Sequence, residues 1–598
     1  MVRMTVTHYR FPCLRPNSRL LCTLLFCTSL LAPFGATAQA IAADVVLSGA
    51  GAMTALLNEH LQIRRHVADA DLTQSEFERL YAAAPGEIRA LLATEGYFSP
   101  VIAPTLRQDG QRSVAQFQID PGPPTRIAAV ELRFSGAIAE GPSADAERMA
   151  SLRRDWGLAV GDNFRQARWD AAKGNALKAL LTRDFPAAKI ASSAAQIDPK
   201  TNSARLSVEI DSGPAFTFGA LQIEGLQRYS RDIIETLNPI RPGEPYSQEK
   251  LTELQARLQD SGYFRTVFAT IEVDPSQPLR VPVRLDLSEN QRRRLSLGGG
   301  FSTDGGARAQ VKWLDRRFLE RDWLLEAEAR IDRQTRVLGA DLTFPARASG
   351  WRPSVGGHFE RTDIANEVND RLRLDARYTS PSKLDEHVTG MSYLTEQQKI
   401  ANLAPNDRTA LIATYGYTRR RTDNIVSPTR GYLLAGEVGI GPRGLLNESS
   451  LARVFSRAVW LSRGWRSTQL LLRAQAGQVI GADRDRVPSE LLFRAGGDQS
   501  VRGYAFNTLG VEQNDAIVGG RVMATLSGEL IHNLTPTWGA AIFHDVGNAA
   551  DSWKDFKLKQ GSGIGARWRS PIGPVNIDLA YGHATRTPRL HFWIGYGF

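Results

Sequence analysis

The residue types that act as nucleophiles, proton carriers or metal ligands are present in this chain, but their spacing does not assemble a catalytic site. His60 and His66 stand six residues apart with no ligand set around them, and the nine histidines are scattered, which suits surface or satisfied positions better than a metal site. No HExxH or GxSxG occurs. Gly561-Ser562-Gly563-Ile564-Gly565 leads into a hairpin rather than a helix, so it is not a nucleotide-binding fingerprint. The three cysteines, Cys13, Cys22 and Cys27, all fall within a leader-like N-terminus, which removes thiolate chemistry from the mature chain. The expectation is a protein that is not an enzyme, with no cofactor and no metal. Three other constellations stand out. In Gly496-Gly497-Asp498-Gln499-Ser500-Val501-Arg502-Gly503-Tyr504, glycines bracket one arginine and permit a tight, inward-folded loop. Phe543-His544-Asp545-Val546-Gly547-Asn548 reads as a strand end with Asp545 on the face opposite Phe543. Pro428-Thr429-Arg430-Gly431-Tyr432 reads as a turn feeding a strand.

The elements that must carry these motifs are strands. Leu590, Phe592, Ile594, Tyr596 and Phe598 share one face of the terminal segment, opposite His591, Trp593, Gly595 and Gly597. In the preceding hairpin Ile564, Ala566 and Trp568 alternate with Gly565, Arg567 and Arg569. After the turn at Pro571–Pro574, Val575, Ile577, Leu579 and Tyr581 alternate with Asn576, Asp578, Ala580 and Gly582. Arginine and aspartate at that density do not suit the dry side of a sandwich; they suit a watery lumen, giving an apolar-out, polar-in transmembrane barrel.

The N-terminus separates the barrel from a soluble sandwich. Arg3, Arg10, Arg15 and Arg19 precede an apolar run from Leu20 to Leu31 and small residues up to Ala40, the form of a secretory signal peptide over residues 1–40. No later stretch has eighteen consecutive apolar residues, so an exported chain that meets a membrane is left with a closed barrel. The net charge of +10 falls to about +6 without the four leader arginines. No basic helix or aromatic–basic ladder points to nucleic acid. Arg292-Arg293-Arg294 reads as a solvated juncture or lumen lining, and outward-facing positive charge can meet anionic lipid head groups.

The chain divides near residue 290. Beyond it lie short strands, glycine turns and polar loops, and residues 291–598 accommodate about 16 strands at roughly 10 residues per crossing, with 14 or 18 also open. Before it the sequence repeats. Ile127, Val130, Leu132 and Phe134 end at Gly136, and Phe218, Leu221 and Ile223 end at Gly225; each run follows a strand closing on an acidic-glycine turn, at Gly122 and Gly213. Leu251, Leu254 and Leu258 share a helix face that stops at Gly262-Tyr263-Phe264, as Glu87–Leu92 stops at Gly96-Tyr97-Phe98. The middle repeat departs, with Asp184-Phe185-Pro186. Three βααββ units are expected over 44–122, 123–213 and 214–290.

Taken together, the Ser-Val-Arg-Gly-Tyr loop, the Phe-x-Asp-x-Gly strand, the Pro-Thr-Arg-Gly turn, the Ser-Pro-x-Gly-Pro hairpin and the terminal Phe598 resemble the POTRA-barrel superfamily of outer-membrane protein assembly and two-partner secretion. Three repeats before a barrel of this length are most similar to its TamA-like branch. That resemblance implies a 16-strand transmembrane antiparallel barrel in the bacterial outer membrane, preceded by three α+β POTRA domains in the periplasm. It implies a lumen loop lock in which Arg502, Gly503 and Tyr504 fold inward and Arg502 pairs with Asp545, a bidentate pair suited to a confined guanidinium. The direct role of such a pair is to staple the barrel.

The resemblance also implies a lateral seam of weak pairing between a first strand near Arg294–Thr303 and a last strand at Leu590–Phe598. Gly298, Gly299 and Gly300 on one side and Gly595, Gly597 and Phe598 on the other either favour unzipping there or merely allow tight lumen packing. Unpaired edges in lipid are costly and ready to accept a client strand. The implied partners are a TamB-like periplasmic or inner-membrane protein, unfolded outer-membrane protein clients including autotransporters, and outer-membrane lipid. The POTRA repeats would receive clients by β-augmentation or dock the partner. The rival function is a two-partner-secretion-type transporter or passive pore, with a wide lumen and a seam indifferent to locking.

Overall fold

The computed structural model describes residues 41–598 apart from 70, 110–111, 142, 304, 425–427, 445, 463, 465–466, 571–572 and 595–598. The leader over residues 1–40 and the seam residues Gly595, Gly597 and Phe598 therefore lie outside the described residues. Two compact units emerge: one holds the first repeat and part of the second, the other holds the remainder, the third repeat and the barrel.

Each repeat builds a three-stranded sheet. In the first, Ala42–Ser48 runs parallel to Arg112–Asp120, which pairs antiparallel with the edge strand Val101–Asp109. The helix Gln74–Thr94 starts at Thr73, whose hydroxyl accepts from Glu76 N at 3.3 Å, and buries Phe77, Leu80, Ile88 and Leu92 beside Phe117. In the third, Phe218–Glu224 and Val281–Glu289 are parallel and Phe264–Ile271 is the antiparallel edge. Helix Gln248–Asp260 is capped by Ser247 and packs Leu251, Leu254 and Leu258 into one core with Val283 and Leu285.

The helix-stopping device recurs with one chemical change. Gly96 and Gly262 follow their helices at φ +92° and +86°, and Asp184 takes φ +64° at the corresponding place in the middle repeat. The short polar side chain of aspartate tolerates the left-handed region, so the departure in sequence preserves the backbone turn.

Apart from a short hairpin of Val511–Gln513 with Ala516–Val518, the remaining strands form one 16-stranded antiparallel sheet in which neighbours in chain order pair. In chain order they are β1 Arg293–Ser302, β2 Gly306–Asp315, β3 Leu324–Ile331, β4 Thr335–Thr343, β5 Arg352–Ile364, β6 Glu367–Thr379, β7 Asp385–Ile400 and β8 Asn406–Thr422. They continue as β9 Gly431–Gly441, β10 Leu451–Leu461, β11 Thr468–Ile480, β12 Val522–Asn533, β13 Trp538–Ala550, β14 Lys559–Ser570, β15 Gly573–Gly582 and β16 Thr587–Ile594. Among the described residues no ladder joins β1 to β16, so the barrel is nearly closed. Cross-strand register keeps the faces consistent: Ile542, Ile564, Leu579 and Leu590 are aligned and outward, and Glu529, Arg567 and Asp578 are inward and buried.

The third repeat feeds β1 and braces the turns at that end, the rim that the resemblance places on the periplasmic side. Arg316 Nε donates to Gly262 O at 2.8 Å, Ser230 N donates to Asp322 Oδ2 at 3.1 Å, and Lys383 Nζ pairs with Asp260 at 2.6 Å. The Arg292-Arg293-Arg294 run is a juncture: Arg292 and Arg293 pair with Asp315 at 3.1 and 3.2 Å.

Candidate lumen lock and lateral seam

The long connection between β11 and β12, residues 481–521, carries Arg502 into the barrel. Arg502 is 1 % exposed. Its Nε and Nη2 donate to Asp545 Oδ2 and Oδ1 at 2.7 and 2.9 Å, and its backbone N donates to the same carboxylate at 3.0 Å. The bidentate pair fixes both the plane and the position of the guanidinium. Nη1 also donates to Glu529 Oε2 at 2.7 Å and Asp578 Oδ2 at 3.0 Å. Arg567 closes the ring, bonding Glu529 at 2.7 Å and Asp578 at 2.6 Å. Arg473 joins through Ser527 Oγ at 3.2 Å, so three guanidiniums face three carboxylates in the buried lumen. That balance offsets a desolvation cost no single pair would repay.

Phe543 is inward with Asp545 rather than opposite it: the two are 5 % and 0 % exposed, and the Arg502 guanidinium lies 3.4 Å from the Phe543 ring centroid. Residues two apart on a strand share a face, and the motif occupies the C-terminal end of β13, which closes at Ala550. Phe543 thus supplies a cation–π floor to the lock.

Glycines make the room. A Cβ on Gly561 would stand 1.9 Å from Arg502 O, one on Gly563 would stand 2.4 Å from the Phe543 ring, and one on Gly565 would stand 1.9 Å from Asp578. Gly503, at φ +93°, packs its backbone against Gly582, and Tyr504 is buried with its hydroxyl donating to Gln560 O at 3.0 Å. The glycine run that is unsuited to a nucleotide is the seat of the loop.

The seam strands differ from this. Gly298, Gly299 and Gly300 have no heavy atom closer than 3.7 Å to an added Cβ, so close packing does not demand glycine there. A lumen cavity of about 850 Å³ is bordered by Gly300 and Phe301 of β1, Phe592 of β16, and Phe506 of the loop. The turn Pro428–Tyr432 is held by Asp423, which accepts from Thr429 N at 2.9 Å and Arg430 N at 3.2 Å; Gly431 has φ +124° and a Cβ there would meet Arg421 O.

Residues 290–598 match the Omp85 superfamily domain, which is more than half of the chain. The chain belongs to the Omp85 superfamily. Residues 216–290 match the POTRA model, described as a surface antigen variable number repeat. The chain is similar to the outer membrane protein assembly factor BamA of Nitratidesulfovibrio vulgaris, 25% identical over 60% of this chain and 47% of that protein, so it spans about half the length of that relative. It is also similar to BamA of Neisseria meningitidis serogroup B, 21% identical over 84% of this chain and 70% of that protein. The fold matches BamA from Haemophilus ducreyi lacking POTRA domains 1–3, with a TM-score of 0.63 and 16% identity over 78% of this chain and 99% of that structure. The protein is an outer-membrane barrel with its POTRA domains in the periplasm.

This Omp85 barrel has a second charged clasp that sequence reading did not find. Ser489 N and Oγ donate to Glu396 of β7 at 2.8 and 2.5 Å, and Arg371 and Arg373 of β6 donate to Glu490 at 2.8 and 2.6 Å. Arg408 of β8 donates to Val487 O at 3.1 Å, and Arg494 pairs with Glu367. The loop is bolted to β6–β8 through residues 487–494 and to β12–β16 through 502–504. The charges alternate with period two along β6, as Arg371, Arg373 and Asp375 show, but only the fold brings them to the loop. The same holds for Glu529, Asp578, Arg567 and His591.

At the junction of POTRA domain and barrel, burial raises the Asp322 carboxyl above its usual range. Tyr263, whose hydroxyl donates to Asp322 O, is likewise pushed up by burial and by the neighbouring Asp322 charge.

Proposed function

We propose that this Omp85 protein is a TamA-like outer-membrane component of a translocation and assembly module, which helps insert or translocate outer-membrane proteins, autotransporters among them, through the seam between β1 and β16. The observation that carries this reading is the pair of edges that no ladder joins among the described residues, on a barrel whose lumen is crossed by a twice-anchored loop. Unsatisfied edge groups in lipid favour capture of an incoming strand by main-chain hydrogen bonding. A passive pore would be better served by an open lumen. The names of the N. vulgaris and N. meningitidis relatives support the assembly role.

The periplasmic repeats receive clients or dock a TamB-like partner. The edge strand Phe264–Ile271 supports this: after Arg265 it carries no charge and no proline, and Phe268 is 60% exposed. Pro104, by contrast, interrupts the edge strand of the first repeat.

The reading is tested by cysteines at Gly299 and Gly595, positions free of competition because Cys13, Cys22 and Cys27 all precede residue 40. The expected result is efficient crosslinking with loss of client-barrel assembly that reductant reverses. Efficient crosslinking with assembly untouched would overturn the gate.

A further inference from the structure

The outer wall of the barrel carries a groove remote from the lock and away from the seam strands. It has a volume of about 660 Å³ and runs over β5–β9. Small outward residues, Ala376 of β6 and Ala413 of β8, form part of its lining, and Val355, Met391, Val438 and Ile440 border it. A membrane-facing wall is generally covered by exchanging lipid, which needs no groove; a shallow apolar depression over small side chains gives an acyl chain more contact than a convex wall does.

The groove ends on an aromatic ledge at the periplasmic side. Trp351 stacks on Tyr378 with centroids 4.9 Å apart, and His387 lies 4.8 Å from Tyr417. His387 Nδ1 and the Tyr415 hydroxyl are 2.8 Å apart, and Tyr415 and Tyr378 both line the groove. Aromatic side chains of this kind mark the level of the lipid head groups.

Below the ledge the charge is positive. Asp385 accepts from Arg421 Nη2 at 2.5 Å and from Tyr417 at 3.0 Å. Arg419 reaches the same carboxylate only at 3.9 Å, with its side chain 46% exposed. Two guanidiniums thus share one carboxylate. Arg419 lies on the same outward face of β8 as Tyr415, about 13 Å along the strand at roughly 3.3 Å per residue. Apolar groove, interfacial ledge and half-exposed guanidinium, which shares Asp385 and leans on Tyr432, therefore follow in the order of acyl chain, glycerol and phosphate.

We infer that this wall is a binding site for one anionic glycerophospholipid of the periplasmic leaflet, its phosphate on Arg419 and an acyl chain in the groove over Ala376 and Ala413. A guanidinium binds phosphate in a bidentate mode that an ammonium does not reproduce. The site stands apart from the lock and seam and does not depend on which client the protein serves.

The test is native mass spectrometry of the full chain in mild detergent, with phosphatidylglycerol or phosphatidylcholine of identical acyl chains added. The wild-type chain should retain one phosphatidylglycerol under activation that strips phosphatidylcholine. Arg419→Gln should lower that retention roughly tenfold, the loss of about one charge-assisted contact. Ala376→Phe, which fills the groove while leaving Arg419 in place, should also lower retention of phosphatidylglycerol. The band shift of the unboiled barrel on a gel reports folding, and if Arg419→Gln fails that check, Ala376→Phe carries the test. Equal retention in a folded variant and wild type, equal retention of both lipids by wild type, or a retained mass that proves to be polypeptide would each overturn the site.

Discussion

The backbone N–H of Gly503 donates to Nε2 of His591 at 3.0 Å, so the loop that carries Arg502 also grips β16, the strand at the seam. Both groups are buried. Replacing His591 by leucine should leave the Arg502–Asp545 pair in place but orphan the Gly503 donor, costing about 1–3 kcal/mol. Hydrogen exchange should then accelerate along β16 more than along β13. Uniform acceleration over both strands would show that His591 serves the whole lock rather than the seam.

Arg502→Lys should behave nearly as badly as Arg502→Ala. An ammonium cannot reproduce two contacts to Asp545 while also reaching Glu529 and Asp578, and either change leaves buried carboxylates short of a partner, a loss of about 3–5 kcal/mol. Thermal unfolding monitored by gel mobility, with protease cleavage within 481–521, would measure it. A lysine variant of wild-type stability would show that charge alone suffices.

Two glycine substitutions should diverge although both lie on inward faces of barrel strands. Gly561→Ala places a methyl 1.9 Å from Arg502 O, so it should dislodge the loop with every charged group intact. Gly300→Ala meets nothing within 4 Å and should leave lock stability within about 1 kcal/mol of wild type. Comparable destabilisation by both would mean that backbone freedom, not space, is what the glycines provide.

The clasp around Glu490 and the lock around Arg502 hold the same loop at separate walls. Glu490→Gln should weaken the grip of Arg371 and Arg373 and raise proteolysis at 484–494 without exposing Arg502. Combined with Asp545→Asn, the losses should add to within about 0.5 kcal/mol if the anchors act independently. A larger coupling energy would make them one unit.

Stability of the junction should depend on pH through Asp322. Its folded pKa is raised by burial, so its contribution is fully present below the unfolded carboxylate value and is lost as pH rises through the folded one. The protection factor of the Ser230 amide, its exchange rate divided into the intrinsic rate at the same pH, should therefore be higher on the mildly acidic side of neutrality. Asp322→Asn should abolish that difference; an unchanged pH profile in the variant would assign it to another group.

The sequence by itself determined the class of the molecule. Strict alternation such as Ile564-x-Ala566-x-Trp568 against Gly565, Arg567 and Arg569 encodes a two-faced wall, because a strand turns successive side chains to opposite sides. The repeats were legible because a helix needs a left-handed stop, and Gly96 and Gly262 announce one; Asp184 was not, because aspartate adopts that backbone without advertising it. Arg502 and Asp545 stood out as motifs. Only the tertiary structure decided their company. Glu529, Asp578, Arg567 and His591 come from four strands, and Glu396, Glu490 and Arg371 are brought together across more than a hundred residues. Period two tells a charge that it faces the lumen, but which charge it meets there depends on strand tilt, register and the path of one loop, and no local pattern carries those.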